Sequence, residues 1–296
     1  MKSIHVLAVL LSLTGASVAL AAEDAAVQRG KYLYDAADCA GCHGGGRTEG
    51  PPAGGRALKT PFGTFYPPNI SADLENGIGK WSEAQFRETL RHGVAPGHKQ
   101  MFPVFPFPSF SGMTDQDISD IRAYILSLPA AKDPSKRHDV RPPFGWRPLM
   151  VVWRSLFFKP GPLPTDTARD DDWNRGRYLV QAVAHCSECH TPRNLMGALT
   201  LSKAFSGNIG GPDGQNAPNI TPDVETGIGS WTVEEIAHLL KTGETPDFDA
   251  LASGMAEVIR GTKKLTDADR HAIAVYLKSI PPIRTVRKPA IPADHS

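Results

Sequence analysis

The sequence has 296 residues, which is enough for two modest domains, and a globular composition with 41% hydrophobic and 21% charged residues. Its formal net charge is only +1, which gives no indication of a nucleic-acid partner. The 28 glycines and 26 prolines predict a chain rich in loops.

The N-terminus has the features of a secretory signal peptide. Lys2 precedes the mostly apolar stretch 4–13, and Ala19-Leu20-Ala21 fits the small-x-small cleavage pattern. The apolar stretch is short for a membrane anchor, which needs about 20 residues. We therefore expect a signal peptide over residues 1–21, cleavage after Ala21 or Ala22, and a periplasmic location.

We predict a first helical domain over residues 22–132. A helix is expected near 24–37, and the pair Ser82 with Gln85 predicts a capping box that starts a second one, with Gly93 as its C-cap. Thr114 starts the last helix, whose apolar positions fall on one stripe. They are Ile118, Ile121, Tyr124, Ile125 and Leu128. The sequence shows no convincing strand ladder.

Residues 133–169 form a proline-rich linker with the apolar runs 149–153 and 156–158. We favour a short helix that packs against a domain. A contact surface for a partner or a membrane is the alternative. Arg147, Arg154 and Lys159 interrupt the apolar run, which is too short to span a bilayer.

Residues 170–284 repeat the first domain, and a polar tail, 285–296, follows. The offset between matching segments drifts only from 146 to 152 residues, which indicates a tandem duplication. The matching segments are 29–33 with 175–179, 68–70 with 218–220, 77–81 with 227–231, and 113–115 with 265–267.

All four cysteines lie in two Cys-x-x-Cys-His motifs. The first is Cys39-Ala40-Gly41-Cys42-His43 and the second is Cys186-Ser187-Glu188-Cys189-His190. This pattern is typical of c-type haem attachment: two thiols form thioethers with the two vinyl groups of one macrocycle, and the adjacent histidine binds the iron. We therefore predict two covalently bound haem c groups, with His43 and His190 as iron ligands.

Two other interpretations of the cysteines are weaker. A redox disulfide would accompany a βαβ pattern, which we do not find. A four-cysteine zinc site would not require a histidine after each pair.

The second axial ligand decides whether each iron is saturated. In the second repeat we predict Met255, expected in a glycine-rich loop before the last helix. In the first repeat the candidates are Met113, Met101 and His98, of which we favour Met113 because Gly112 could turn it inward.

These motifs resemble the multi-haem cytochrome c subunits of bacterial alcohol and gluconate dehydrogenases and their diheme relatives. The resemblance rests on the repeated segments 68–70 and 77–81, on Phe105-Pro106-Phe107 before Met113, and on the segment 190–194. Relatives with phenylalanine in place of a methionine there keep the methionine that matches Met113.

The resemblance implies an all-α fold of two tandem class-I cytochrome c domains with a loop-rich linker. It also implies electron transfer without substrate turnover. The expected donor is a periplasmic dehydrogenase, the expected acceptor a cytochrome or terminal oxidase, and membrane contact is at most peripheral. The alternative is a diheme enzyme such as a peroxidase, which would need an iron without a methionine ligand.

Overall fold

The computed structural model describes residues 22–44, 50–251 and 253–285. The predicted signal peptide and nearly all of the predicted polar tail lie outside these residues. The described chain is mostly helical, as expected. Within it, the helices lack the length and apolar character needed to cross a bilayer.

Within the described residues, the first repeat contains five helices and two short hairpins. The helices are α1 (22–36), α2 (Cys39–His43), α3 (Glu83–His92), α4 (Phe107–Phe110) and α5 (Asp115–Ser127). The strands are β1 (Leu58–Thr60), β2 (Gly63–Phe65), β3 (Val94–Ala95) and β4 (Lys99–Gln100), with a 3₁₀ turn over Pro96–His98.

The helices of the second repeat follow the same order as those of the first, and the linker between the repeats adds one strand and one helix. The linker holds β5 (Asp139–Val140) and α6 (Leu149–Phe157). The second repeat holds α7 (Asp171–Tyr178), a π-helical segment (Leu179–Val183), α8 (Ser187–His190), α9 (Val233–Thr242), α10 (Ser253–Thr262) and α11 (Asp267–Ser279), with 3₁₀ turns at Leu201–Lys203 and Pro212–Gly214.

The predicted helix boundaries are confirmed by their capping contacts. Ser82 and Gln85 form a reciprocal capping box at α3, and Thr232 and Glu235 form one at α9. Both helices end at a glycine with positive φ. The Thr114 side chain accepts a hydrogen bond from the backbone at the start of α5. Local hydrogen bonding therefore sets these boundaries.

The short strands were not expected. β2 pairs with β1 and also with β5, so a strand of the linker completes a three-stranded antiparallel sheet on the first repeat. Gly63 has φ 131°, and a side chain there would lie 2.3 Å from the Asp139 carbonyl oxygen. Strands of two or three residues are too short to show an alternating pattern in the sequence.

The first and last helices of each repeat cross at the repeated segments 29–33 and 175–179, which begin Arg-Gly. A Cβ on Gly30 would lie 1.8 Å from the Asp120 carbonyl oxygen, and one on Gly176 would lie 1.9 Å from that of Ala272. The preceding arginines bind the same helices, because Arg29 pairs with Asp120 at 2.6 Å and Arg175 pairs with Asp269. The glycines thus allow the helices to touch backbone to backbone.

The tyrosine of the same repeated segment joins the two repeats. Tyr32 donates a hydrogen bond to Asp269 at 2.6 Å and accepts one from the Thr266 backbone N–H at 3.0 Å. In the reciprocal contact, Tyr178 donates to Asp117 and accepts from the Thr114 backbone N–H at 3.1 Å. Each tyrosine therefore binds the start of the other repeat's last helix.

One continuous hydrophobic cluster runs through both repeats. It includes Ile118, Ile121 and Ile125 of the predicted stripe, each at most 2% exposed, and Ile273 of α11. Cys39 and Cys186 pack against it. The helix crossing therefore also positions the cysteine motifs.

We predict that Gly176→Ala strongly destabilises the protein, because a methyl group cannot fit against the Ala272 carbonyl. The free energy of unfolding of the holoprotein, measured by chemical denaturation, should fall by about 3 kcal/mol or more. Gly145→Ala is the control, since its nearest atom is 3.3 Å away. Equal stability of the two variants would contradict the close crossing.

Candidate haem-attachment sites

Both cysteine motifs fold into short helical turns, α2 and α8. Asp38 and His185, which precede the motifs, have φ values of 46° and 42° and turn the chain out of the first helix of each repeat. Residues three apart share one side of a helical turn, so Cys39 and Cys42 can reach one macrocycle edge together. The same spacing applies to Cys186 and Cys189.

The two motif histidines make matching hydrogen bonds. His43 Nδ1 lies 2.8 Å from the Pro68 carbonyl oxygen, and His190 Nδ1 lies 2.8 Å from that of Pro218. A carbonyl can only accept, so Nδ1 carries the proton and Nε2 is the nitrogen that can bind iron. Burial lowers the pKa of both imidazoles, which favours the neutral form that ligates metals.

The four cysteines have free thiols, as thioether formation requires. Burial raises the pKa of Cys42 and of Cys186 to about 12, and it also raises that of Cys39. Paired thiols beside a neutral imidazole with a free Nε2 are the donor set that a covalently bound haem needs. The residues of both motifs therefore fit this group.

The repeated Pro-Asn-Ile segments hold the histidines in place, a role that sequence reasoning missed. Asn69 is buried and donates to the Ala131 carbonyl at 2.7 Å, while Asn219 donates to the Ile283 carbonyl at 2.7 Å. Each asparagine thus ties its loop to the chain after the last helix. The recurrence of the segment was the available signal, but its contacts depend on tertiary structure.

The two motifs lie close to each other across the repeats. The His185 Nε2 atom is 3.2 Å from the Ala37 carbonyl oxygen, and the Glu188 carboxylate accepts a hydrogen bond from Ser109 at 2.8 Å. Arg56 donates to the Gly41 carbonyl of the first attachment turn at 2.7 Å and pairs with Glu257 of the second repeat at 2.5 Å. Each attachment turn is therefore connected to the other repeat through neighbouring side chains.

Among the candidate axial methionines, Met113 is fully buried in the main cluster, and Met255 is half-buried against it. Met101 belongs to a different cluster with Phe107 and Trp153. Met113 stands where Leu265 stands in the second repeat, so a packing role also accounts for its burial. The predicted loop at Met255 was wrong: Met255 lies in the first turn of α10.

The remaining histidines and tryptophans have simple roles. His98 is exposed on the turn between β3 and β4, in line with a solvated side chain. His185 is half-buried and packs against Phe110, with ring centroids 5.3 Å apart, which is a structural role. Trp81 and Trp231 are half-buried against the core.

Sequence comparisons agree with these features. A family model described as "Cytochrome c" matches residues 27–129. A protein of Cereibacter sphaeroides named "Diheme cytochrome c-type" is 39% identical over 86% of this chain and 86% of its own length. The chain therefore belongs to the cytochrome c family, whose members carry covalently bound haem c, and the resemblance found in the sequence is confirmed.

Two further relatives are subunits of dehydrogenases. The fructose dehydrogenase cytochrome subunit of Gluconobacter japonicus is 41% identical over 86% of this chain, and the gluconate 2-dehydrogenase cytochrome c subunit of Pantoea cypripedii is 37% identical over 88%. The chain spans 52% and 60% of their lengths.

Asp38, beside the first attachment turn, is a half-buried carboxylate with a raised pKa. Burial and the charge of Glu257 raise the pKa of Asp38 to about 7. The positive charges of Arg260 and Arg56 lower the pKa of Asp38, but by less than burial and Glu257 raise it. The folded protein therefore binds this proton more tightly than the unfolded chain does, and stability should fall as pH rises from about 4 to about 7.

We predict that Asp38→Asn makes thermal stability less dependent on pH, because an amide of the same shape does not ionise. Between pH 4 and pH 7 the melting temperature of the variant should fall less than that of the wild-type holoprotein. Circular dichroism at a series of pH values measures this difference. Asp247→Asn, at an exposed position, should retain the wild-type dependence; parallel curves for Asp38→Asn and the wild type would refute the prediction.

Proposed function

We propose that this protein is a periplasmic electron carrier with two covalently bound haems. It would accept electrons from a periplasmic dehydrogenase and deliver them to a downstream cytochrome or terminal oxidase. The names of the dehydrogenase subunits among its relatives support the donor, and they give no support to the peroxidase alternative.

The assigned residues are Cys39, Cys42 and His43 at the first site and Cys186, Cys189 and His190 at the second, with Met113 and Met255 as the sixth ligands. Haem c, when bound, supplies an iron that carries one electron by cycling between the ferrous and ferric states. The protein contributes the ligands, their orientation and an apolar environment.

The contacts that the second attachment turn and the histidine before it make with the first repeat carry this proposal. Glu188 accepts a hydrogen bond from Ser109, and His185 lies against the Ala37 carbonyl next to the first attachment turn. Redox groups held at the two motifs would be kept at a fixed separation, which suits electron transfer from one to the other.

The reciprocal tyrosine contacts support the same function by fixing the repeats relative to each other. Electron transfer benefits from a fixed separation because the donor and acceptor then need little reorganisation. A carrier of this kind needs saturated irons, and the two buried or half-buried methionines supply a soft sulfur ligand for each.

We predict two covalent haems per chain. Acid–acetone extraction should leave both on the polypeptide, and mass spectrometry should show the mass of two haems. Cys186→Ala should lose stable attachment at the second site while the first retains its haem. A mass increase of a single haem in the wild type would contradict the proposal.

We predict that Met113→Leu leaves the fold intact but removes an axial ligand from the first haem. Leucine fits because Leu265 occupies the matching position of the second repeat. Half of the haem should become high-spin, its potential should fall, and carbon monoxide should bind faster. Absorption spectra and redox titration measure these changes.

Met101→Ala is the matched control and should leave the low-spin spectrum unchanged. Met255→Ala should give the corresponding change at the second haem. A high-spin haem in Met101→Ala and not in Met113→Leu would transfer the assignment to Met101. A wild type that is already high-spin at one haem and reduces peroxide efficiently would overturn the carrier function.

A further inference from the structure

Helix α6 of the linker is anchored to the protein along one side. Trp153 is buried against Phe107, with ring centroids 6.2 Å apart, and its indole N–H donates to the Met196 carbonyl at 2.9 Å. Arg154 donates to the Gln100 side chain at 2.8 Å. The predicted packing of a linker helix against a domain is therefore observed, and the orientation of α6 is fixed.

The opposite side of α6 is apolar and faces outward. Val151, Val152 and Leu156 are 51%, 57% and 66% exposed. Within this helix, which the structure describes in full, Ser155 is the polar residue that lies among them. A surface helix of a globular protein normally presents polar residues outward, whereas α6 presents aliphatic residues there.

Further exposed apolar side chains surround this helix. Leu195 and Met196 are 96% and 54% exposed and adjoin α6 through the Trp153 contact. Trp146, 63% exposed, lies one turn before the helix and accepts a hydrogen bond from the Leu149 backbone. We call Val151, Val152 and Leu156 the α6 surface. A clustered apolar area of this kind indicates an interaction site.

Positive charge is concentrated in the chain segment that contains α6. Residues 132–159 contain seven lysines and arginines and two aspartates, a net charge of +5 in a chain whose total is +1. Arg141 and Lys159, before and after the helix, are exposed. An apolar face with an exposed tryptophan and a basic border is complementary to the surface of an anionic bilayer.

We propose that the α6 surface binds the headgroup region of an anionic membrane, with Val151, Val152 and Leu156 at the acyl boundary. A nine-residue helix is about 14 Å long, roughly half the hydrocarbon thickness, so the contact is peripheral. A protein partner fits less well, because protein interfaces form about one hydrogen bond per 100–200 Å² and this face offers only Ser155. Membrane binding would place the loop after the second attachment turn beside the bilayer.

Vesicle co-sedimentation of the complete holoprotein tests this proposal. The wild type should bind phosphatidylcholine vesicles that contain phosphatidylglycerol, bind pure phosphatidylcholine less, and dissociate at high salt. The double variant Val151→Gln/Leu156→Gln should bind roughly 10- to 100-fold more weakly, since two aliphatic side chains no longer enter the membrane.

The matched control replaces one valine and one leucine at distant exposed positions. Val224→Gln/Leu74→Gln alters side chains that are 71% and 60% exposed and should bind vesicles as the wild type does. Equal loss in both variants, or an absence of wild-type binding, would overturn the proposal. Haem content and the rate of reduction by a donor should be unchanged in both variants, so this test is independent of the proposed electron transfer.

Discussion

The backbone contact between the first and last helices of each repeat is the constraint on which the rest of the structure depends. At Gly30 and Gly176 a single methyl group would overlap a carbonyl oxygen. α1 leads within a few residues into the first attachment turn, and α7 leads into the second through the π-helical segment 179–183. The crossing also sets the direction of Tyr32 and Tyr178, which lie half a turn later on the same helices. One close contact thus positions the sites and the partner repeat together.

The reciprocal tyrosine contacts turn a sequence duplication into one assembled unit. Two copies of a domain joined by a linker could in principle move independently. Here Tyr32 reaches the start of α11 while Tyr178 reaches the start of α5. The Ser109–Glu188 hydrogen bond adds a contact next to the second attachment turn. A fixed distance between the two proposed haems would suit electron transfer from one to the other. Two domains joined only by a flexible linker would not hold such a distance.

The linker has structural roles that its composition does not reveal. It contributes β5 to the sheet of the first repeat, and through Trp153 it packs beside the loop that follows the second attachment turn. A segment that contacts both repeats adds to the fixed geometry between them. The exposed side of α6 is apolar although the helix is firmly anchored on its other side. Binding to a membrane surface, as proposed above, accounts for this exposed apolar side.

The sequence alone determined the chemistry and the repeat. The pattern Cys-x-x-Cys-His predicts covalent attachment and the first axial ligand because its five residues act locally, and the capping residues predicted helix boundaries for the same reason. Tertiary structure decided what depends on distant residues. It brought the Pro68 and Pro218 carbonyls to the histidines and Ser109 to Glu188, formed the short strands and placed Met255 in a helix. The hydrogen bonds to the histidines and to Glu188 join residues 25 or more positions apart, and in a single sequence the spacing of residues carries no record of such pairings.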